Sequence, residues 1–279
     1  MARPVETWAA GDAYEPYIGR WSRLVAREFV AWLGVAGGAA WLDVGCGTGA
    51  LSQTVLEAAD PAAVVGVDPS LGFLAHARAR LAGPARLVVA DARRLPLADA
   101  RVDAAVSGLV LNFVPDPAGA VAEMARVTRA GCRVAAYVWD YGGRMELIRR
   151  FWDAAAALDP AAATLDEGRR FGLCRPEPLA GLFRDAGLVE VAGRPIEVPT
   201  RFRDFDDYWT PFLGGQGPAP GYAMALDEGR RAALREELRA RLPVAGDGSI
   251  PLVARAWAAR GVAGPRPRAR AGDGGPWTA

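Results

Sequence analysis

Residues 42–49 read Leu42-Asp43-Val44-Gly45-Cys46-Gly47-Thr48-Gly49, with the apolar Ala39-Ala40-Trp41 before them and a helix-like segment from Ala50 to about Ala59 after them. A strand therefore runs into a glycine turn, and the turn runs into a helix. Glycines at 45, 47 and 49 let the backbone bend tightly and let a ligand approach where a Cβ would collide. The helix that follows directs its free N–H groups to the same place. This arrangement suits a nucleoside-type cofactor.

Outward from the turn, strand and helix patterns alternate. Residues 22–33 carry Leu24, Val25, Phe29, Trp32 and Leu33 on one side, an amphipathic helix ahead of the turn. Ala63 to Val67 is an apolar strand that ends at Asp68, and Ser70 caps a helix through Leu81. Arg86 to Ala90 is a strand ending at Asp91, and Val102 to Val110 is another apolar run. Asp116-Pro117 opens a helix carrying Val121, Met124 and Thr128; Cys132 to Trp139 is a strand after the stop signal Ala130-Gly131. Short apolar strands between helices predict a parallel sheet covered on both faces.

The second half is less regular. Residues 144–158, 176–186 and 204–213 have helical spacing, 188–198 reads as a strand, and 214–221 is expected to be irregular. A charged helix is expected over 223–242 and a last strand from Ile250 to Ala256. The chain thus divides into an N-terminal helical cap (1–35), a cofactor-binding core (36–140), and a remainder of the same domain with helical lid insertions (141–258). The Arg-, Pro- and Gly-rich 264–279, with Arg266-Pro267-Arg268-Ala269-Arg270, is read as a disordered, solvated tail.

Three carboxylates sharpen the choice of cofactor. Gly45-x-Gly47-x-x-Ala50 also satisfies a loose dinucleotide fingerprint. Asp43, two residues before Gly45, would repel a pyrophosphate but accept hydrogen bonds from a cationic ligand. Asp68 ends the next strand, where a carboxylate bonds both ribose hydroxyls. Asp91 ends the strand after that, where an acceptor can meet an adenine amino group.

Taken together, Leu42 to Gly49, Val67-Asp68-Pro69-Ser70, Ala90-Asp91-Ala92 and Val102-Asp103-Ala104-Ala105-Val106-Ser107 resemble the class I S-adenosylmethionine-dependent methyltransferases, nearest the broad type 11 group that is similar to the ubiquinone-biosynthesis methyltransferases. The resemblance spans roughly residues 36–140, and Tyr14-Glu15-Pro16-Tyr17-Ile18-Gly19-Arg20-Trp21-Ser22 is similar to the N-terminal cap of many members. It implies a doubly wound, mostly parallel seven-stranded Rossmann-like α/β sheet with an antiparallel last strand and a helical lid. It also implies that S-adenosylmethionine is the cofactor. Gly45, Gly47, Thr48 and Gly49 would then hold its methionine part, Asp68 the ribose, Asp91 and Ala92 the adenine, with Ser107 lining the site and Tyr17 and Arg20 closing over the methionine carboxylate.

The acceptor side is less defined. Asn112 stands where members often have a histidine, and Leu109-Val110-Leu111-Asn112-Phe113-Val114-Pro115-Asp116 lacks the Pro-Pro-aromatic motif of enzymes that methylate nucleobase amino groups. Asn112, Trp139, Phe205 and Trp209 are candidates for the acceptor pocket. Phe205, Tyr208, Trp209 and Phe212 fit an ordinary core equally well. Asp140, Tyr14 and Tyr141 are candidate bases, with Asp140-Tyr141 following the fifth strand at its carboxyl end, where this fold places ligands.

Composition narrows the classes further. All 33 basic residues are arginine, so Schiff-base chemistry is excluded, and the net charge of +1 gives no general attraction to nucleic acid or an anionic membrane. Cys46, Cys132 and Cys174 are too scattered for a disulfide framework or a metal site, and the single histidine, His76, reads as a solvated surface group off the face of Leu71, Leu74 and Leu81. The expectation is a cytoplasmic, metal-free methyltransferase acting on a small-molecule acceptor, with no nucleic-acid or membrane partner and no oligomeric state specified. The alternatives are an NAD(P)-dependent Rossmann oxidoreductase and a non-catalytic S-adenosylmethionine-binding protein.

Overall fold

A computed structural model describes residues 15–81, 85–215 and 217–265. Seven strands, β1 Ala40–Val44, β2 Ala63–Asp68, β3 Ala85–Val89, β4 Val102–Gly108, β5 Thr128–Trp139, β6 Val189–Phe202 and β7 Ile250–Val262, form one sheet in the order β3-β2-β1-β4-β5-β7-β6. β1 to β5 are parallel, and β7 enters antiparallel between β5 and β6. This is the expected doubly wound sheet. From β1 the chain winds outward through β2 and β3, then returns to β4 on the other side of β1. The direction of winding therefore reverses between β1 and β4, and the carboxyl ends of these two strands part to leave a crevice.

Helices cover both faces because the inner strands are apolar on both sides: Ala104, Ala105, Val106, Val134, Ala135 and Ala136 have no exposure at all. On one face the helix Arg20–Leu33 buries Val25, Phe29 and Leu33, and Phe29 packs on Tyr137 of β5 with ring centroids 4.6 Å apart. A helical layer from the second half packs against the N-terminal segment. The helix Glu146–Leu158 presents Phe151, which stacks on Phe212 at 4.6 Å, and Tyr17 of the cap meets the edge of the same Phe212 at 5.4 Å.

The structure revises several boundaries. β5 begins at Thr128, so Ala130-Gly131 is a kink inside the strand (Gly131 φ +80°) rather than a stop before it. β6 and β7 run on to Phe202 and Val262. The segment 214–221 is not wholly irregular: Pro218–Ala225 is a helix whose prolines sit in its first turn, where their missing N–H groups would have had no helical partner. The charged helix is Glu228–Arg241, separated from it by extended Leu226 and capped by Asp227, which accepts the Arg230 N–H at 2.8 Å. Leu71 is 72% exposed, so the buried face of the helix Leu71–Arg80 is Leu74 and Ala77, and His76 is half-buried. The tail from 266 onward and Tyr14 lie outside the described residues. Among the described residues no helix is long and apolar enough to cross a membrane, and no cluster of side chains could hold a metal ion.

Candidate functional site

The crevice between β1 and β4 opens into a cavity of about 340 Å³. Its geometry starts at the glycine turn. The N–H groups of Gly45 and Cys46 both donate to the Val67 carbonyl, at 2.8 and 3.0 Å, which folds the turn back over the neighbouring strand. Gly45 takes a left-handed φ of +73° and passes directly under Val110, so that a Cβ there would stand 2.4 Å from Val110 Cγ1. Gly47, at φ +53°, faces open space within the cavity. Gly49 ends the turn at φ +85° and leads into the helix Ala50–Ala58, whose first N–H groups receive no side-chain cap. It forms the turn without lining the cavity, against the expectation that it would touch the ligand.

Three carboxylates stand along the cavity in the order of their strands. Asp43 is 1% exposed; one carboxylate oxygen accepts the Ser52 hydroxyl at 2.7 Å, and the other has no partner. Burial pushes its titration up to about 7. An orphaned carboxylate oxygen in a buried place calls for a donor from a ligand. Asp68 accepts the Gly47 N–H at 3.0 Å on one oxygen and the Ser70 N–H at 2.8 Å on the other, which holds its carboxylate at the rim of the turn; desolvation raises its titration as well. Asp91 is open to solvent and clasped by Arg93 (Nη2 to Oδ2, 2.6 Å), which keeps its carboxyl low, at about 2. Ala92 and Arg93 join it in the cavity wall.

The opposite half of the cavity is apolar and aromatic. Leu109, Val110, Phe113 and Val114 supply the β4 side, Tyr137, Trp139 and Tyr141 the β5 side, and Ile18 and Ser22 the cap. Behind this wall Phe171 closes edge-on to Phe113 at 5.1 Å and packs on Tyr141 at 5.5 Å. Cys46 lines the cavity from the turn, its thiol pushed up by burial and so held as the neutral SH.

The structure thus brings together Asp43, Gly45, Gly47, Thr48, Asp68, Asp91, Ala92, Trp139 and Tyr141 of the expected residues. It places others elsewhere. Ser107 is fully buried behind the turn, its hydroxyl donating to the Val44 carbonyl at 2.8 Å. Arg20 is drawn away by Asp207 at 3.0 Å and lies over Trp21 and Phe202, so it does not close the cavity. Tyr17 turns into the helical layer against Phe212 instead of the cavity, though the next residue, Ile18, lines it. Asp140 faces the other side of its strand end, paired with Arg255 at 2.7 Å and accepting the Arg144 N–H at 2.9 Å. Asn112 is half-buried beside the wall without lining it. Phe205 lies under Arg239 at 4.1 Å and Trp209 beside Phe212 at 6.2 Å; both belong to the core of the helical layer.

Sequence reasoning missed Phe73, Arg93, Val110, Phe113 and Tyr137. The available signal was parity: Tyr137 and Trp139 point to one side of β5. Phe73 had one too, since its N–H donates to the Ser70 cap at 3.3 Å and so sits one turn from Asp68.

With this geometry established, comparison places the chain among known proteins. The family model described as a methyltransferase domain matches residues 42–136. A ubiquinone/menaquinone biosynthesis C-methyltransferase of Desulfotalea psychrophila is 32% identical over 189 residues, covering 62% of this chain and 73% of that protein. A malonyl-[acyl-carrier protein] O-methyltransferase of Pseudescherichia vulneris is 35% identical, over 52% of this chain and 56% of that protein. Among solved structures, Haemonchus contortus phosphoethanolamine N-methyltransferase 2 in complex with S-adenosyl-L-methionine shares the fold with a TM-score of 0.56 at 15% identity, covering 91% of this chain and 56% of that one.

Proposed function

Because the chain belongs to the S-adenosylmethionine-dependent methyltransferases, we propose that it transfers the methyl group to a small, largely apolar acceptor held between Phe113, Trp139 and Tyr141. The observation that supports this reading is the separation of charge within the cavity. Every charged side chain in its wall, Asp43, Asp68, Asp91 and Arg93, lies on the cofactor side, and the remaining side chains are hydrocarbon, aromatic ring, hydroxyl and the neutral Cys46 thiol.

The residues fit the cofactor. The partnerless oxygen of Asp43 suits the ammonium group of the methionine part, the open Gly47 and Thr48 leave room for its chain, Asp68 suits the ribose hydroxyls, and Asp91 with Ala92 the adenine. When bound, S-adenosylmethionine supplies a methyl group on a positively charged sulfur that leaves as a neutral thioether. The protein's part is then to align the acceptor and keep water out, which the closed aromatic wall serves. Among the described residues no carboxylate or imidazole lines the acceptor half, which suits a nucleophile that needs no strong base, such as an acidic phenol or an enol. The relatives' names point to different acceptors, a quinone-pathway carbon and a malonyl oxygen, and the apolar wall here favours the former kind over an acidic one. The free thiols of Cys46, Cys132 and Cys174 suit a reducing cytoplasm.

The test is transfer of labelled methyl from S-adenosylmethionine across a panel of phenols, hydroquinones, amines and short dicarboxylic acids. Methylation of the apolar phenolic members is expected. Activity confined to dicarboxylic acids or amines would overturn the acceptor assignment.

Asp43 also makes a pH prediction. A cation binds the ionised carboxyl, so below about pH 7 each proton returned to Asp43 competes with the cofactor's ammonium group. Affinity for S-adenosylhomocysteine is expected to fall about tenfold for each pH unit below 7 and to level off above it. Asp43→Asn should bind more weakly at pH 8 and lose that slope, as calorimetry at several pH values will show.

A further inference from the structure

One protic side chain of the cavity has no role in the account above. Tyr137 is paired in register with Gly108 of the adjoining strand, β4, and lines the cavity along with it. The ring is 2% exposed and held from behind by Phe29. Its hydroxyl end lies across Gly108: a Cβ on that residue would come within 2.6 Å of the hydroxyl oxygen and 2.8 Å of the ring carbon bearing it. Gly108 is not among the glycines with left-handed backbone. The lack of a side chain there is therefore required by the tyrosine and not by the chain's path.

That position is a junction. β4 lies between β1, which carries Asp43 and the glycine turn, and β5, which carries Trp139. A hydroxyl over the end of β4 stands between the groups suited to the methionine part and the aromatic wall suited to the acceptor. The cofactor's sulfur connects its methionine part to its ribose, with the methyl group directed to the acceptor. An uncharged oxygen at this point interacts favourably with a sulfonium and its polarised methyl group, and much less with the neutral thioether left after transfer.

We propose that Tyr137 is a further catalytic residue, whose hydroxyl oxygen receives the sulfonium end of the cofactor and favours the charged, methyl-bearing form over the demethylated product. This rests on the methyltransferase reading. It assigns to Gly108 the task of admitting the ring, and it accounts for an aromatic residue with a polar tip at a strand position where its neighbours Ala135, Ala136 and Val138 are purely apolar.

The experiment is calorimetric titration of S-adenosylmethionine and of S-adenosylhomocysteine into the parent protein, Tyr137→Phe and Gly108→Ala, with far-ultraviolet dichroism and a thermal midpoint on each. Tyr137→Phe is expected to leave affinity for S-adenosylhomocysteine within twofold of the parent and to weaken S-adenosylmethionine about two- to fivefold, the range for a weak carbon–hydrogen to oxygen contact. Affinity for S-adenosylmethionine relative to S-adenosylhomocysteine therefore falls. Gly108→Ala, by pushing the ring aside, is expected to lower the same relative affinity. A ratio unchanged in Tyr137→Phe, with both ligands still bound, would overturn the assignment and leave the methyltransferase reading intact. A parent protein that bound neither ligand would overturn that reading, and this proposal with it.

Discussion

Replacing Gly45 by alanine is expected to weaken S-adenosylhomocysteine binding at least about a hundredfold, a loss of about 3 kcal/mol, and to lower the thermal midpoint. Two separate penalties act. The residue sits at φ +73°, where a Cβ costs roughly 1 to 2 kcal/mol. The new methyl would also lie 2.4 to 2.9 Å from three atoms of Val110, a half-buried side chain of the cavity wall. The turn cannot simply shift, because the N–H groups of Gly45 and Cys46 are both bonded to Val67. Either Val110 is driven into the cavity or the turn lifts off β2, and the ligand loses its bed in both cases. Gly47→Ala is the informative control. At φ +53° with nothing within 4 Å of the added carbon, it carries only the backbone penalty, so it should lower the midpoint less, while its methyl still projects into the cavity and weakens binding. Calorimetry and thermal unfolding on the pair check this. Binding by Gly45→Ala within tenfold of the parent would contradict the tight passage under Val110.

The second large effect concerns stability and comes from a carboxyl away from the cavity. Glu167, in the short helix Glu167–Arg170, is 1% exposed and accepts the indole N–H of Trp152. Burial pushes its titration up to about 8, with Asp166 adding to the effect and Arg170 opposing it. In the unfolded chain a glutamate titrates near 4.3. The folded state therefore holds a proton that the unfolded state releases between these values. The resulting stabilisation is fully present below about pH 4.3 and is lost as pH rises through about 8. Asp43, at about 7, acts in the same sense, so the protein is expected to lose stability steadily from about pH 4 to about pH 8 and to level off above that. Since each tenfold shift in a proton equilibrium is about 1.4 kcal/mol, Glu167 alone accounts for a few kcal/mol. Glu167→Gln keeps the shape and the acceptor for Trp152 without a charge to bury. It is expected to match the parent near pH 5 and to exceed it at pH 9 by on the order of 10 °C in thermal midpoint. A decline of the same size in the variant between pH 5 and pH 9 would place its source elsewhere.

The glycine turn shows where the sequence was legible. Gly45, Asp43 and Asp68 act within one turn and its two flanking strands, so spacing along the chain is spacing in the site. The same holds for the order of strand and helix that makes the sheet. Residues whose partners come from far along the chain were not legible. Arg20 is claimed by Asp207, 187 positions away, and Asp140 by Arg255, 115 away. Each looked available from its neighbours and was not. Phe205 and Trp209 had the spacing of a helix face, and only the packing of the helical layer decides that this face turns to Arg239 and Phe212 and not to the cavity. Tyr137 was overlooked for the opposite reason: inside an apolar strand, a tyrosine reads as core until its neighbour across the ladder proves to be a glycine that its hydroxyl crosses. The prolines at 218 and 220 read as breakers because composition carries no information on whether a proline falls in a helix's first turn or its middle.

The reversed course of β7 has a practical consequence. Because β7 runs against β5, its end at Val262 lies beside Arg133, and Ala263 exchanges hydrogen bonds with Gly131 and Cys132 at the start of β5. The chain therefore leaves the sheet on the side away from the cavity mouth. Anything grafted beyond Pro265, whether a purification handle, a fluorophore or a tether to a sensor chip, starts from the back of the molecule. A tether joined at Pro265 should leave the entrance facing solution, which suits this fold to surface-based screening of acceptors.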